Sequence, residues 1–172
     1  MRGWRGNAGA EAMVRLADGR FLVFAEGRSG EATSPVLSFD GDPAVAGTGA
    51  VSLRYRPSAG FRVTDVPLLQ DGRLLILSRR LSLLSRVRAR LAIAELPAPE
   101  AGATIEGRDF AELAAPLAVD NMEALSVGRE SGRTIVRIAS DDNFMAIQRT
   151  LLLEFELVEQ PSSRRRPGSQ DN

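Results

Sequence analysis

Three segments of this chain repeat one pattern, which limits the fold to a series of β-hairpins. Residues 11–26, 65–79 and 123–141 each carry a carboxylate ahead of an apolar run, a tight turn, and a second apolar run closed by a polar residue. The turns are Asp18-Gly19-Arg20, Asp71-Gly72-Arg73 and Ser131-Gly132-Arg133. Glycine supplies the positive φ that a short hairpin connection requires. From Asp18 to Asp71 is 53 residues, and from Asp71 to Ser131 is 60. Compact propeller blades repeat at roughly 40–50 residues, so the excess reads as loop insertions.

The runs between turns assign positions to the strands. Residues 21–24 and 74–77 are apolar at every position, which implies burial on both faces. Residues 51–56 and 153–157 alternate apolar with polar or charged side chains, the signature of an outer strand with one wet face. Residues 36–39 are expected to pair with the first alternating strand, and residues 90–96 to serve the second unit. About four strands per unit result. The expected fold is all-β, an incomplete β-propeller of about three four-stranded blades over residues 1–160, with an ordinary sandwich as the alternative. Helix is scarce: residues 107–113 and 79–90 are each expected to hold a turn or two. The polar, Pro- and Gly-bearing stretch 161–172 is predicted to be a disordered tail, with residues 164–166 a solvated run of Arg.

Composition narrows the chemistry. The chain has 172 residues, 44% of them hydrophobic, enough for a packed core. Its 22 basic residues, all Arg, balance 22 acidic ones, so overall charge favours neither nucleic acid nor an anionic membrane. His, Cys and Lys are absent. This removes the Ser-His-Asp triad, the thiolate nucleophile, the Schiff base and the usual zinc ligands. Carboxylate and hydroxyl chemistry, Arg clamps and oxygen-ligated cations remain. Residues 1–9 contain no apolar h-region, and no run approaches the roughly 18 apolar residues of a membrane helix. As written, the chain is expected to be soluble and unexported.

If the repeats stack radially, equivalent positions gather at one rim. Glu11 and Glu123 stand before the first strand of their units, with Asp65 close to that place; Glu26, Arg79 and Asp141 stand after the second strand. The densest polar segments are Asp120-Asn121-Met122-Glu123 and Ser140-Asp141-Asp142-Asn143-Phe144, which antiparallel pairing should set side by side. Glu11, Glu26, Asn121, Glu123, Asp141 and Asn143 are the candidate metal ligands, and Ca²⁺ is the cation that such oxygen donors suit. Glu123, Asp141 and Asp142 are the candidate catalytic groups, either through a metal-activated water or as a carboxylate pair sharing acid and base roles. Arg79, Arg149 and Gln148 are the candidate anion-binding groups. An Asx-type turn is the competing reading of residues 141–143, and pairing with a neighbouring acid that of Arg149.

Asn121-Met122-Glu123-Ala124, Ser140-Asp141-Asp142-Asn143-Phe144 and residues 148–155 closely resemble the closing segment of the phytase-like family, described as having esterase-like activity of phytase. The resemblance extends upstream through residues 7–13, 78–82 and 88–91, and covers nearly the whole chain to Glu159. It implies a β-propeller, commonly periplasmic or secreted, acting on an anionic ester or phosphoester. Members are typically longer, so the chain resembles a C-terminal portion without the first blades or a signal peptide. That implies either a truncated product or a minimal form that closes by self-association through open blade edges. The chain departs from the family at Ala124, where Gly is frequent, and over residues 81–87, where an aromatic-bearing loop is usual. Two functions follow as expectations: a metal-assisted ester or phosphomonoester hydrolase, or a noncatalytic propeller fragment that binds a partner.

Overall fold

The computed structural model describes residues 9–27, 31–81 and 87–158. Eleven strands are present among them: β1 (Ala10–Arg15), β2 (Phe21–Ala25), β3 (Ser34–Phe39), β4 (Ala50–Arg56), β5 (Arg62–Asp65), β6 (Leu74–Arg80), β7 (Arg88–Ala94), β8 (Thr104–Leu113), β9 (Met122–Glu130), β10 (Arg133–Ser140) and β11 (Leu152–Glu156). The protein is all-β, with no helix among the described residues and hence none long and apolar enough to cross a membrane. Strands β1–β4 form one antiparallel meander and β5–β8 a second. A short parallel pairing of β4 with β8, from Arg54↔Thr104 to Arg56↔Glu106, joins them into one eight-stranded mixed sheet. Strands β9–β11 form a separate three-stranded sheet. The first strands of the three units are neighbours, β1 beside β5 and β5 beside β9.

The first two turns are built alike. The amide of Gly19 donates to the carbonyl of Leu16 at 3.0 Å and that of Leu16 to the carbonyl of Arg20 at 2.8 Å; Gly72, Leu69 and Arg73 repeat this at 3.0 and 2.7 Å. Asp18 and Asp71 accept from the amides of Arg20 and Arg73 at 3.1 and 3.0 Å. Gly19, Gly72 and Gly132 have φ of 91°, 88° and 83°, where a Cβ would be strained.

Two cores explain the apolar runs. Leu74 and Ile76 point into the core shared by the two meanders, with Leu22, Phe24, Val36, Leu53, Tyr55 and Ile105. Leu75 and Leu77 point the other way, into the core shared with the three-stranded sheet, among Leu91, Met122, Leu125, Val136 and Ile138. Strand β6 is therefore sandwiched, and each of residues 74–77 is fully buried. At about 2 kcal/mol per buried aliphatic side chain, this one strand contributes strongly to holding the three units together.

The structure corrects several expectations. Residues 107–113 are strand, the end of β8. Their charges answer those of β7 across the ladder, with Arg90 bound to Asp109 and Glu112 at 2.8 and 2.7 Å and Arg88 bound to Glu112 at 2.9 Å. The stretch expected to hold a helical turn after Arg79 begins with the end of β6 and finishes in β7; residues 82–86 lie outside the described residues. In the second unit the first strand ends at Asp65 instead of starting after it, because β5 is Arg62–Asp65. The third unit has three strands among the described residues, not four. The predicted tail lies outside the described residues.

Candidate functional site

The site grows from the ends of the hairpins. Arg79, near the end of β6, reaches the three-stranded sheet: Nη1 donates to Asn121 Oδ1 at 2.7 Å, and Nη2 lies 3.1 Å from Glu123 Oε1. Asn121 Nδ2 donates to the same Glu123 oxygen at 2.7 Å. Asn121 is buried, so its amide is fixed as a bridge between guanidinium and carboxylate. Glu11 on β1 lies in the field of Glu26, Glu123 and Arg79. Its pKa is raised above the usual carboxylate value, first by desolvation, then by repulsion from Glu26 and Glu123, with Arg79 pulling the other way. Glu26 is held by Arg62 of β5 at 2.7 Å. Thus Glu11, Glu26, Glu123, Asn121 and Arg79, distant in sequence, come together where the three units meet.

A cleft of about 680 Å³ opens beside them. Glu26, Arg62 and Arg79 line it together with Arg56, Ser58 and Phe61. Phe61 is buried, with the guanidiniums of Arg90 and Arg80 over its ring at 4.4 and 5.2 Å. The cleft lining thus sets Arg56, Arg62 and Arg79 against Glu26 and Glu31, while Glu11 and Glu123 are not among its lining residues.

The chain matches the Phytase-like family, described as esterase-like activity of phytase, over residues 1–144. The chain belongs to that family. No curated protein and no solved structure matches it. The match ends at Phe144, so the segment 148–155 lies beyond it.

In this Phytase-like chain Asp141, Asp142 and Asn143 face their own loop. Asp141 Oδ1 accepts from the Asn143 amide at 3.0 Å and Asp142 Oδ1 from the Phe144 amide at 2.9 Å. Asp142 Oδ2 accepts from Thr150 Oγ1 at 3.1 Å, and Asn143 Nδ2 donates to Gln148 Oε1 at 3.0 Å. These Asx turns hold Asn143 and Phe144 at φ of 48° and 56°. The two polar segments do lie side by side, the Asp141 amide donating to the Asn121 carbonyl at 3.0 Å, but the Asp141 carboxylate is spent on its own turn. Arg149 joins through its main chain: its amide donates to Asp120 Oδ2 at 3.0 Å, and its carbonyl accepts from Ser140 Oγ at 2.6 Å. Among the described residues no group of three or more acidic side chains is placed to hold a metal ion.

Sequence reasoning missed Arg62, Arg56 and Phe61, which line the cleft, because residues 56–62 fall between the repeated hairpins. The one available signal was Phe61-Arg62-Val63-Thr64, an alternating run leading into Asp65. It also missed the bridging role of Asp65, whose Oδ2 accepts from the Leu125 amide at 2.7 Å.

Proposed function

We propose that this Phytase-like chain is part of a β-propeller and acts as an ester hydrolase on a small anionic ester or phosphoester bound in the cleft beside Arg79. The propeller reading is supported by two four-stranded meanders and a third sheet whose first strands are neighbours. The hydrolytic reading is supported by one observation: Glu123 pairs with Arg79, and Glu11 lies in the field of both and of Glu26, beside a cleft that Glu26, Arg56, Arg62 and Arg79 line. Arg62 and Arg79 orient the anion. Glu123 accepts a proton from the attacking water as that oxygen bonds to the ester carbon or phosphorus. Glu11, with its raised pKa, gives a proton to the leaving oxygen as the ester bond breaks.

The donors Glu11, Glu26, Asn121 and Glu123 are oxygens of the kind that Ca²⁺ takes. As arranged, they do not fit a bound ion. Among the described residues no three acidic side chains are grouped to hold an ion, and Asn121 Oδ1 and Glu123 Oε1 already serve Arg79 while Glu26 Oε1 serves Arg62. The proposed hydrolysis uses no metal. The thermal midpoint with millimolar Ca²⁺ against chelator tests this separately, since an ion that binds only the folded state raises it.

Hydrolysis of p-nitrophenyl phosphate and p-nitrophenyl acetate tests the proposal. Glu123→Gln should lower kcat by about 10²-fold or more. Glu11→Gln should abolish the fall in rate on the alkaline side, where the raised pKa of Glu11 is passed and its proton is lost. Unchanged rates in both variants would refute catalysis. A second reading, a noncatalytic binding module, is favoured by the saturation of Arg79 and Glu26 within their own network. It requires parent and variants alike to show no turnover.

A further inference from the structure

Among the described residues, the third strand of each unit offers its outer edge to a fourth, except in the last. In the first unit Val36 of β3 is completely buried beside Leu53 and Tyr55 of β4. In the second, Ala92 and Ala94 of β7 are 3% and 2% exposed, with Ile105 of β8 at 0% in the same core. In the third, Leu153 and Phe155 of β11 face the shared core but remain only half-buried, as do Leu151 and Leu157 just outside the strand. Among the described residues no strand lies on the free side of β11.

The backbone of β11 is poised to receive one. Ser140 donates to the carbonyl of Leu151, and Leu157 to the carbonyl of Thr134. With the register Val136↔Phe155 and Ile138↔Leu153, the odd-numbered residues therefore bond to β10. The N–H and C=O groups of Leu152, Glu154 and Glu156 point to the free edge.

Charge indicates what fits there. In the second unit the third strand carries Arg88 and Arg90, and the outer strand answers with Asp109 and Glu112. Strand β11 has the opposite sign: Glu154 and Glu156, with side chains 55% and 41% exposed, touch Arg137 and Arg133 on the β10 side and are open on the other. A second copy pairing β11 with β11 would set these carboxylates against each other, which is unfavourable.

We propose that the free edge of β11 docks an extended segment of another polypeptide whose apolar residues alternate with Arg or Lys. The segment adds antiparallel, its apolar side chains completing the cover over Leu153 and Phe155 and its cations meeting Glu154 and Glu156. This is independent of the hydrolytic reading.

A fluorescent peptide with the sequence of β4, Ala50-Val-Ser-Leu-Arg-Tyr-Arg56, has this alternation and serves as the probe against the full chain. Fluorescence anisotropy should show saturable binding. Glu154→Pro removes an outward N–H without touching the β10 ladder, and should weaken binding about tenfold or more. Glu154→Arg with Glu156→Arg should weaken this peptide and bind instead a version with Glu at both Arg positions. Circular dichroism and the thermal midpoint establish that each variant folds, and the charge swap stands alone if Glu154→Pro does not. Three results would each overturn the proposal: absence of binding, affinity indifferent to the charge swap, or a dimer of the chain alone, seen by sedimentation, that the Arg substitutions dissociate.

Discussion

Asp65→Ala tests how the three-stranded sheet is fastened to the second unit. Asp65 ends β5, its Oδ1 accepting from the Val66 amide at 2.8 Å and its Oδ2 from the Leu125 amide at 2.7 Å. Strands β5 and β9 belong to different sheets, so no ladder joins them there. Leu125 is buried, at 6% exposure, and after the substitution its N–H has lost its acceptor. A hydrogen bond to a charged group is worth about 1.5–3 kcal/mol and the local one to Val66 about 1 kcal/mol. The expected loss is about 3 kcal/mol, or about 6–12 °C in thermal midpoint for a chain of this size. Asp65→Asn keeps an acceptor oxygen and should cost about half as much. Urea unfolding measures both, and hydrogen exchange should show the Leu125 amide losing protection first. An Asp65→Ala loss below about 0.5 kcal/mol, or equal losses for Ala and Asn, would refute the reasoning.

Tyr55 is the single tyrosine of the chain, so absorbance of the phenolate reports it alone. Burial raises its pKa to about 12; a hydrogen bond with Ser78 opposes this, and the charges of Asp109 and Glu106 add to it. Titration should place the absorbance change near that value, not near 10. The folded state holds the proton more tightly than the unfolded one, so stability is fully present below pH 10 and falls as pH rises toward about 12. Gly107→Ala should destabilise by about 1–3 kcal/mol, because the added Cβ would stand 3.1 Å from the Tyr55 hydroxyl and 3.3 Å from the Ala92 Cβ, both in packed core. Combining it with Tyr55→Phe should cost less than the sum of the two single changes, since the crowded oxygen is then gone.

The hairpins were legible because their turns need glycine at positive φ and their strands need two cores. Residues 74–77, apolar at every position, could only sit between two packed layers, and Leu74 and Ile76 face one core while Leu75 and Leu77 face the other. Strand β5 was misplaced because it is four residues long and Pro67 follows closely, so the apolar run after Asp65 resembled the strand itself. Residues 107–113 were misread because their charges pair across strands, a pattern visible only once β7 lies alongside. Within the site, the positions that recur from unit to unit, Glu11, Glu26, Arg79 and Glu123, came together. Asp141 and Asp142 were drawn into local turn chemistry that outcompetes a distant partner.

The missing residue types give the site its pH behaviour. Without His, Cys or Lys, no side chain of this protein has an ordinary pKa between those of the carboxylates and that of Tyr55. Arg62 and Arg79 tie Glu26 and Glu123 into the ion pairs that shape this end of the cleft. The pKa of Glu11 is raised above the usual carboxylate value, first by desolvation and then by the field of Glu26 and Glu123, against the pull of Arg79. A side-chain pH response of the site just above the ordinary carboxylate range is therefore expected to follow Glu11. Glu26→Gln removes one of the two repelling charges and should shift that response to lower pH without abolishing it, a displacement that a purely structural role for Glu11 would not produce.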